Sequence, residues 1–333
     1  MLDLLDKKIM YELDLNARIS STRLAKKLRR SKETINFRIN RLIKESDIKG
    51  FYTIFNTSKL GWYYYKAYIK FKNITPEKEK ELLSWISQQN HIAYLASIEG
   101  YYHCIFLVMV KNSQDMLDFL EPFMKVYGEY ISEKEIVTFL TTHRINQRFL
   151  FEGKEKRDWC YPIVLGDYKL DEINKKILNT ISTIAKMPLV GIAKKLNVDH
   201  KIIKYRLSKL EKENIILAYV TSPNFDKLGL QFIQVNISLK NPSSSVKKSV
   251  INYFDDTNKC LFAIELLGKY DLTIEIHVEN NENLKKIIDG FREKFISVYN
   301  DYDISTINKE YVVVWGSFGE KNANQRNNKK IIS

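Results

Sequence analysis

ISSTRLAKKLRRSKETINFRINRLIKESDIKGF, residues 19–51, decides how the rest of the chain is read. Leu24, Ala25 and Leu28 recur at helical spacing, and Ser20 or Ser21 can accept a backbone N–H at the start of a first short helix. Arg29-Arg30-Ser31 makes a turn, and Ser31 can cap a second helix predicted over Lys32–Glu45. Within it Ile35, Ile39 and Leu42 share one stripe. The opposite side carries Lys32, Glu33, Asn36, Asn40, Arg41 and Lys44, groups suited to base edges and phosphates. From Arg18 to Lys49 there are eleven Lys or Arg against three Asp or Glu, an excess that attracts a polyanion. The pattern is a helix-turn-helix with a short wing, Ile48–Tyr52. An ordinary amphipathic helix pair with a solvated charged back has the same local signature, so one copy leaves both readings open.

The chain supplies a second copy. Shifted by 168 positions, its two halves align without a gap over the first sixty residues. Ala25-Lys26-Lys27-Leu28 meets Ala193-Lys194-Lys195-Leu196 letter for letter, and Ile35, Arg38, Leu42 and Ile48 meet Ile203, Arg206, Leu210 and Ile216. Further on, Gly100 and Tyr102 meet Gly268 and Tyr270. A period this long means tandem domains and not a solenoid. After each helix-turn-helix the alternation changes to period two, then to a helix, two strands about a Gly turn, a helix and a last strand. That order is βαββαβ, a ferredoxin-like sandwich.

The expected fold class is α+β, with two winged helix-turn-helix domains and two ferredoxin-like domains in tandem. The boundaries fall at 1–56 and 57–143 for the first pair, 144–168 for an irregular linker, 169–224 and 225–318 for the second pair. A polar, basic tail at 319–333 reads as disordered.

Composition narrows the function. A length of 333 residues exceeds one ordinary core, and 44% hydrophobic content supports globular folding. The net charge of +13 favours nucleic acid over membrane, because the basic residues concentrate on the two helix pairs. Asp3 and Asp6 oppose a signal peptide, and the longest apolar runs are strand-sized, so a cytoplasmic location without membrane contact is expected. Cys104, Cys160 and Cys260 are isolated, and the five His show no metal-ligand spacing. No cofactor and no catalytic constellation are expected.

The ordered set Leu2-Asp3-x-x-Asp6-x-x-Ile9, Ala25-Lys26-Lys27-Leu28, Ile35-x-x-Arg38-Ile39-x-x-Leu42, Ile48-x-Gly50-Phe51, Leu60-Gly61 and Gly268-x-Tyr270-Asp271 resembles the Lrp/AsnC family of transcription regulators. Family members mostly carry one copy and pair through the βαββαβ domain; this chain looks like a covalent version of such a pair. The resemblance implies double-stranded DNA as partner, with Lys32–Glu45 and His200–Glu213 in the major groove. In the second of these, Lys201, Lys204, Tyr205, Ser208 and Lys209 are the exposed counterparts. Arg38 and Arg206, beside the core stripe, could each bond a phosphate or brace their own fold. Because Asn36 stands against Lys204 and Asn40 against Ser208, an asymmetric operator is expected.

The resemblance also implies an amino-acid effector at the turn formed by Gly268, Tyr270 and Asp271, where Asp271 would hold an ammonium. The matching Gly100 and Tyr102 are followed by His103, so the first-half site departs from the pattern. Free faces of the paired sheets would allow further self-assembly. Two other readings share this architecture: a sirohaem-decarboxylase-like tetrapyrrole enzyme, for which His103, His143 and Arg144 are the candidate residues, and an amino-acid-sensing module whose helix-turn-helix has become structural.

Overall fold

A computed structural model describes residues 2–145, 147–151 and 159–314. The first half runs α1 (Leu4–Leu15), α2 (Ser21–Leu28), α3 (Lys32–Lys44), β1 (Ile48–Phe55), β2 (Tyr63–Phe71), α4 (Pro76–Gln88), β3 (Ile92–Glu99), β4 (Cys104–Val110), α5 (Ser113–Tyr127) and β5 (Ile131–Arg144). A short strand, β6 (Trp159–Pro162), follows. The second half repeats the order as α6 (Glu172–Ser182), α7 (Leu189–Leu196), α8 (His200–Lys212), β7 (Ile216–Pro223), β8 (Gln231–Leu239), α9 (Ser244–Asp256), β9 (Cys260–Leu267), β10 (Leu272–Val278), α10 (Asn281–Phe295) and β11 (Tyr299–Val313). Among the described residues no helix is long and apolar enough to cross a membrane. The tail at 319–333 lies outside the described residues.

Each helix-turn-helix forms for local reasons. Asp3 and Asp6 make a reciprocal capping box at the start of α1, and Ser20 and Ser31 accept the N–H groups of Arg23 and Thr34 at α2 and α3. Between α2 and α3, Arg29 takes a left-handed conformation at φ 54°, as Asn197 does at φ 53° between α7 and α8. The stripes Ile9, Leu24, Ile35 and Leu42, and Ile177, Ile192, Ile203 and Leu210, are fully buried.

Within each half the four strands take the ferredoxin-like order, β5-β2-β4-β3 and β11-β8-β10-β9. The two sheets then join at both edges. β3 pairs with β11 (Glu99 opposite Thr306) and β9 with β5 (Leu267 opposite Thr138), so eight strands close into a barrel. Gly100 and Gly268 stand at the two seams with φ +154° and +143°, where a side chain would meet Ile304 O at 2.8 Å or Val137 Cγ1 at 2.7 Å. They are glycines because the other half approaches there.

The barrel interior is packed with Tyr64, Tyr68, Tyr94, Tyr102, Phe139, Phe262 and Tyr270, the filling expected of an eight-stranded barrel. Outside, α4 and α5 cover one sheet through Leu82, Ile86, Phe119 and Phe123, and α9 and α10 cover the other through Val250, Phe254 and Phe291. Both faces of each sheet are therefore occupied. The free sheet faces expected for further assembly are absent among the described residues, because closure turns the inner faces toward each other. The linker also differs from expectation: β6 pairs with β5, Trp159 opposite Arg144.

The wing is the largest departure. A short wing at Ile48–Tyr52 was expected within each head, but β1 runs to Phe55 and pairs antiparallel with β7 of the other head. The hydrogen bonds around this ribbon repeat under the 168-residue shift. Ala17 N–H donates to Tyr219 O at 2.8 Å and Ala185 N–H to Phe51 O at 3.0 Å; Asn56 N–H donates to Ile215 O and Asn224 N–H to Asp47 O, both at 2.9 Å. Lys59 Nζ donates to Glu213 O at 2.8 Å, mirrored by Lys227 on Glu45 O. An unpaired wing strand leaves a row of bare N–H and C=O groups, and the duplicated head supplies the partner.

Candidate nucleic-acid interface

The outer sides of α3 and α8 are uncovered. Lys32, Glu33, Asn40 and Lys44 are exposed and Asn36 is half-buried; on α8, Lys201, Lys204, Ser208 and Lys209 are exposed. Packing against another element would have hidden these groups, and none does so among the described residues. Phe37 is 66% exposed and Tyr205, its equivalent at +168, is 68% exposed. Tyr205 was anticipated and Phe37 was missed, although the repeat alignment pairs them. A solvent-facing aromatic on a recognition helix can pack on a thymine methyl. The second head is basic too, with eight Lys or Arg against three Asp or Glu from Lys186 to Leu217.

The arginines of these helices do other work. Arg38 Nη1 reaches Asp3 at 2.5 Å and the fully buried Asp6 at 3.1 Å; Arg206 Nη1 reaches Asp171 at 2.5 Å and Asn174 at 3.0 Å. Both brace a recognition helix against the N-terminus of the first helix in its own head. The Asp6 backbone N–H and the Arg38 guanidinium hold the Asp3 carboxyl down at about 2. Arg41, expected near phosphates, is engaged with Asp6 at 2.5 Å. Its charge is committed because a buried carboxylate must be paired. Lys209, at the equivalent position, lies 3.9 Å from Glu213 and is half exposed.

At each of the two turns expected to hold an effector, a side chain accepts a backbone N–H of the neighbouring strand. Asp271 Oδ2 accepts the Leu239 N–H at 2.7 Å, and His103 Nδ1 accepts the equivalent Phe71 N–H at 3.0 Å. One Asp271 oxygen thus pins β8, and His103 can fill the same place because that task needs only an acceptor. Tyr270 donates to Asp303, while Tyr102 is fully buried and its hydroxyl lies 2.9 Å from Lys269 Nζ and 3.1 Å from Glu133. Lys269 of the second half thus ties to Tyr102 and Glu133 of the first.

The polar groups that sequence reasoning passed over lie inside the barrel. Lys66 is 1% exposed, and burial lowers its ammonium to about 8 against the pull of Glu275. Burial raises Glu275 to about 7, with Lys66 opposing. Of the tetrapyrrole candidates, His143 bonds Glu265 at 3.1 Å and the wholly buried Arg144 pairs with Asp14 at 2.8 Å.

A family model described as winged helix-turn-helix DNA-binding matches residues 2–46. An HTH-type transcriptional regulator of Pyrococcus abyssi, itself uncharacterised, is 31% identical over 121 residues, which is 36% of this chain and 81% of that protein. AsnC of Escherichia coli is 17% identical and is matched over 94% of its length by 43% of this chain, with a TM-score of 0.37. The sirohaem decarboxylase NirDL matches 98% of both chains with a TM-score of 0.65 at 13% identity, a likeness of fold alone. With two helix-turn-helix heads on paired βαββαβ sheets, the chain belongs to the Lrp/AsnC-like family of HTH-type, DNA-binding transcriptional regulators.

Proposed function

We propose that one chain reads a non-palindromic operator as a covalent pseudo-dimer, with α3 and α8 entering successive major-groove segments. One observation carries the reading: the buried stripes of the two heads agree while their exposed faces differ. Asn36, Phe37 and Asn40 stand where the second head has Lys204, Tyr205 and Ser208. Identical readers suit an inverted repeat, whereas unlike readers suit two different half-sites. The ribbon of β1 and β7 ties the heads to each other, so the spacing between half-sites should be fixed. Tethering also raises the second head's effective concentration to about millimolar.

Selection from random DNA at two salt concentrations tests this directly. The expected outcome is one motif with unlike halves at constant spacing, and an affinity that falls steeply with salt. A perfect inverted repeat would overturn the pseudo-dimer proposal, and loss of all binding at low salt would leave the heads as structural modules. Modulation by a small effector belongs to the same reading.

The full-length likeness to a sirohaem decarboxylase supports a second reading. Titration of the protein with an iron porphyrin separates the two: a shifted, saturable Soret band favours the enzyme, and an unchanged spectrum favours the regulator. The hydrogen bond that occupies His143 and the ion pair that occupies Arg144 support the regulator.

A further inference from the structure

The barrel encloses a cavity of about 70 Å³ at the end facing the β1/β7 ribbon. Gln147, Thr221 of β7 and Gln234 of β8 line it, each no more than 1% exposed. Gln147 gives its amide N–H groups to Asp14 and to the Thr221 carbonyl, and Gln234 gives its own to Glu275 at 3.2 Å. In both amides the oxygen is therefore the end left over. Gln147 Oε1, Gln234 Oε1 and Thr221 Oγ1 have no partner among the described residues. Buried polar atoms in folded proteins nearly always find partners, so three open oxygens around one space call for a donor.

Charge points the same way. Among the described residues that line the cavity, Lys66 of β2 is the one cation, against Glu275 of β10 and Glu310 of β11. Glu275 and the nearby Asp303 attract Lys66, whereas Glu275 and Glu310 repel each other. Beyond the wall, Arg144 is paired with Asp14 and Lys49 with Asp226, so these charges cancel. At least one negative charge is left over, and a carboxylate so placed either takes up a proton or gains a cation. Phe139, Phe232 and Phe262 line the remainder, and aromatic rings suit both a cation and a short hydrocarbon stem. A cavity of about 150 Å³ holds benzene, so this one has room for roughly three or four heavy atoms. We propose that the cavity binds one short primary alkylammonium ion per chain, its N–H groups received by Gln147, Thr221 and Gln234 and its charge balanced by Glu275 and Glu310. Both carboxylates belong to the second half, where the first has Leu107 and Thr142, so a single site is expected. The same carboxylates repel an anionic group on the ligand, so a free amino acid is excluded. The site goes beyond the regulator reading and does not depend on it. Thr221 lies on the ribbon and Glu310 in the barrel, so an occupant ties one to the other.

The test is calorimetry and thermal unfolding of the full chain with ethylamine and n-propylamine, beside glycine, propionate and potassium chloride. At least one amine is expected to bind at one per chain and to raise the Tm, with glycine, propionate and potassium tenfold or more weaker. Glu310→Gln, which keeps the shape and removes the charge, and Gln234→Leu should each weaken amine binding by about tenfold, the loss of one hydrogen bond to a charged group. Thr221→Val, nearly isosteric, serves if either variant unfolds. No binding by either amine, indicating a cavity filled by water alone, would overturn the site. Glycine or potassium binding as tightly as the amines would overturn it too, since neither the excess negative charge nor the hydrocarbon stem would then be read. So would equal amine binding by wild type and all folded variants, which would put the amine elsewhere.

Discussion

The two heads carry the same buried skeleton and different outer faces, and they are also held to the barrel differently. In the first head, Asp14 of α1 is buried against Arg144 of β5 at 2.8 Å and accepts from Gln147 Nε2 at 2.9 Å. The second half has Ser182 and Val312 at these positions, so it has no equivalent ion pair. A duplicated chain is free to change one copy wherever the other keeps the fold. What differs between the halves is therefore a better guide to function and coupling than what they share.

The largest expected effect comes from that clamp. Removing one partner leaves a buried charge uncompensated, and Arg144→Val or Asp14→Ser alone should cost about 3–5 kcal/mol in denaturant unfolding. The double variant, which copies the second half, should recover most of the loss. Similar losses in both singles and the double would mean that packing, and not charge, holds the first head.

A second asymmetry is His277, whose equivalent in the first half is Met109. Its ring lies 3.9 Å from the Phe225 centroid and is stacked on Phe232 and Phe149 at 4.7 and 5.1 Å. Both nitrogens lack partners among the described residues, and burial pushes the imidazole down to about 3. A folded value below the unfolded one means that the unfolded chain takes up the proton first. The stability contributed by neutral His277 is present above about 6.5 and is lost as pH falls toward 3. At pH 4.5 the loss should be about 2.7 kcal/mol. His277→Met should flatten this acid limb; an unchanged pH profile would show that other groups set it.

Much of this organisation was readable from the residues. Leu24, Ile35 and Leu42 mark the helices because their burial is local, and the register of the repeat carried every element into the second half. Barrel closure was not readable, since pairing of Glu99 with Thr306 joins residues 207 apart and leaves no local signal. Lys66 was hidden for a related reason. In Tyr63–Phe71 the face bearing Tyr64, Lys66, Tyr68 and Lys70 alternates like a solvated sheet face, and only closure turns it inward. The bond from Leu239 to Asp271 was not readable either, because a carboxylate in a Gly turn suits an ammonium ligand as well as a backbone N–H.

Making the second outer face copy the first tests whether the difference is read. Lys204→Asn with Tyr205→Phe and Ser208→Asn should shift the selected operator toward like half-sites, by about 1–3 kcal/mol for each contacted base pair. Selection of the original asymmetric motif by this variant would mean that α8 reads no bases.

The smallest effect concerns what the heads share. Lys44 and Lys212 are equivalent by the repeat and both exposed, at the last position of α3 and α8. Neither sits among the differing residues, so each should serve a phosphate and not a base. Lys44→Ala and Lys212→Ala should then weaken all sequences alike, each reducing the slope of log affinity against log salt by about 0.9. Arg41→Ala is a poorer probe, because it also leaves Asp6 short of a partner and confounds binding with stability. Equal slopes from the two lysines would mean that both heads touch the backbone at once. A slope change from Lys44→Ala alone would mean that the first head, clamped through Asp14 and Arg144, binds without its twin.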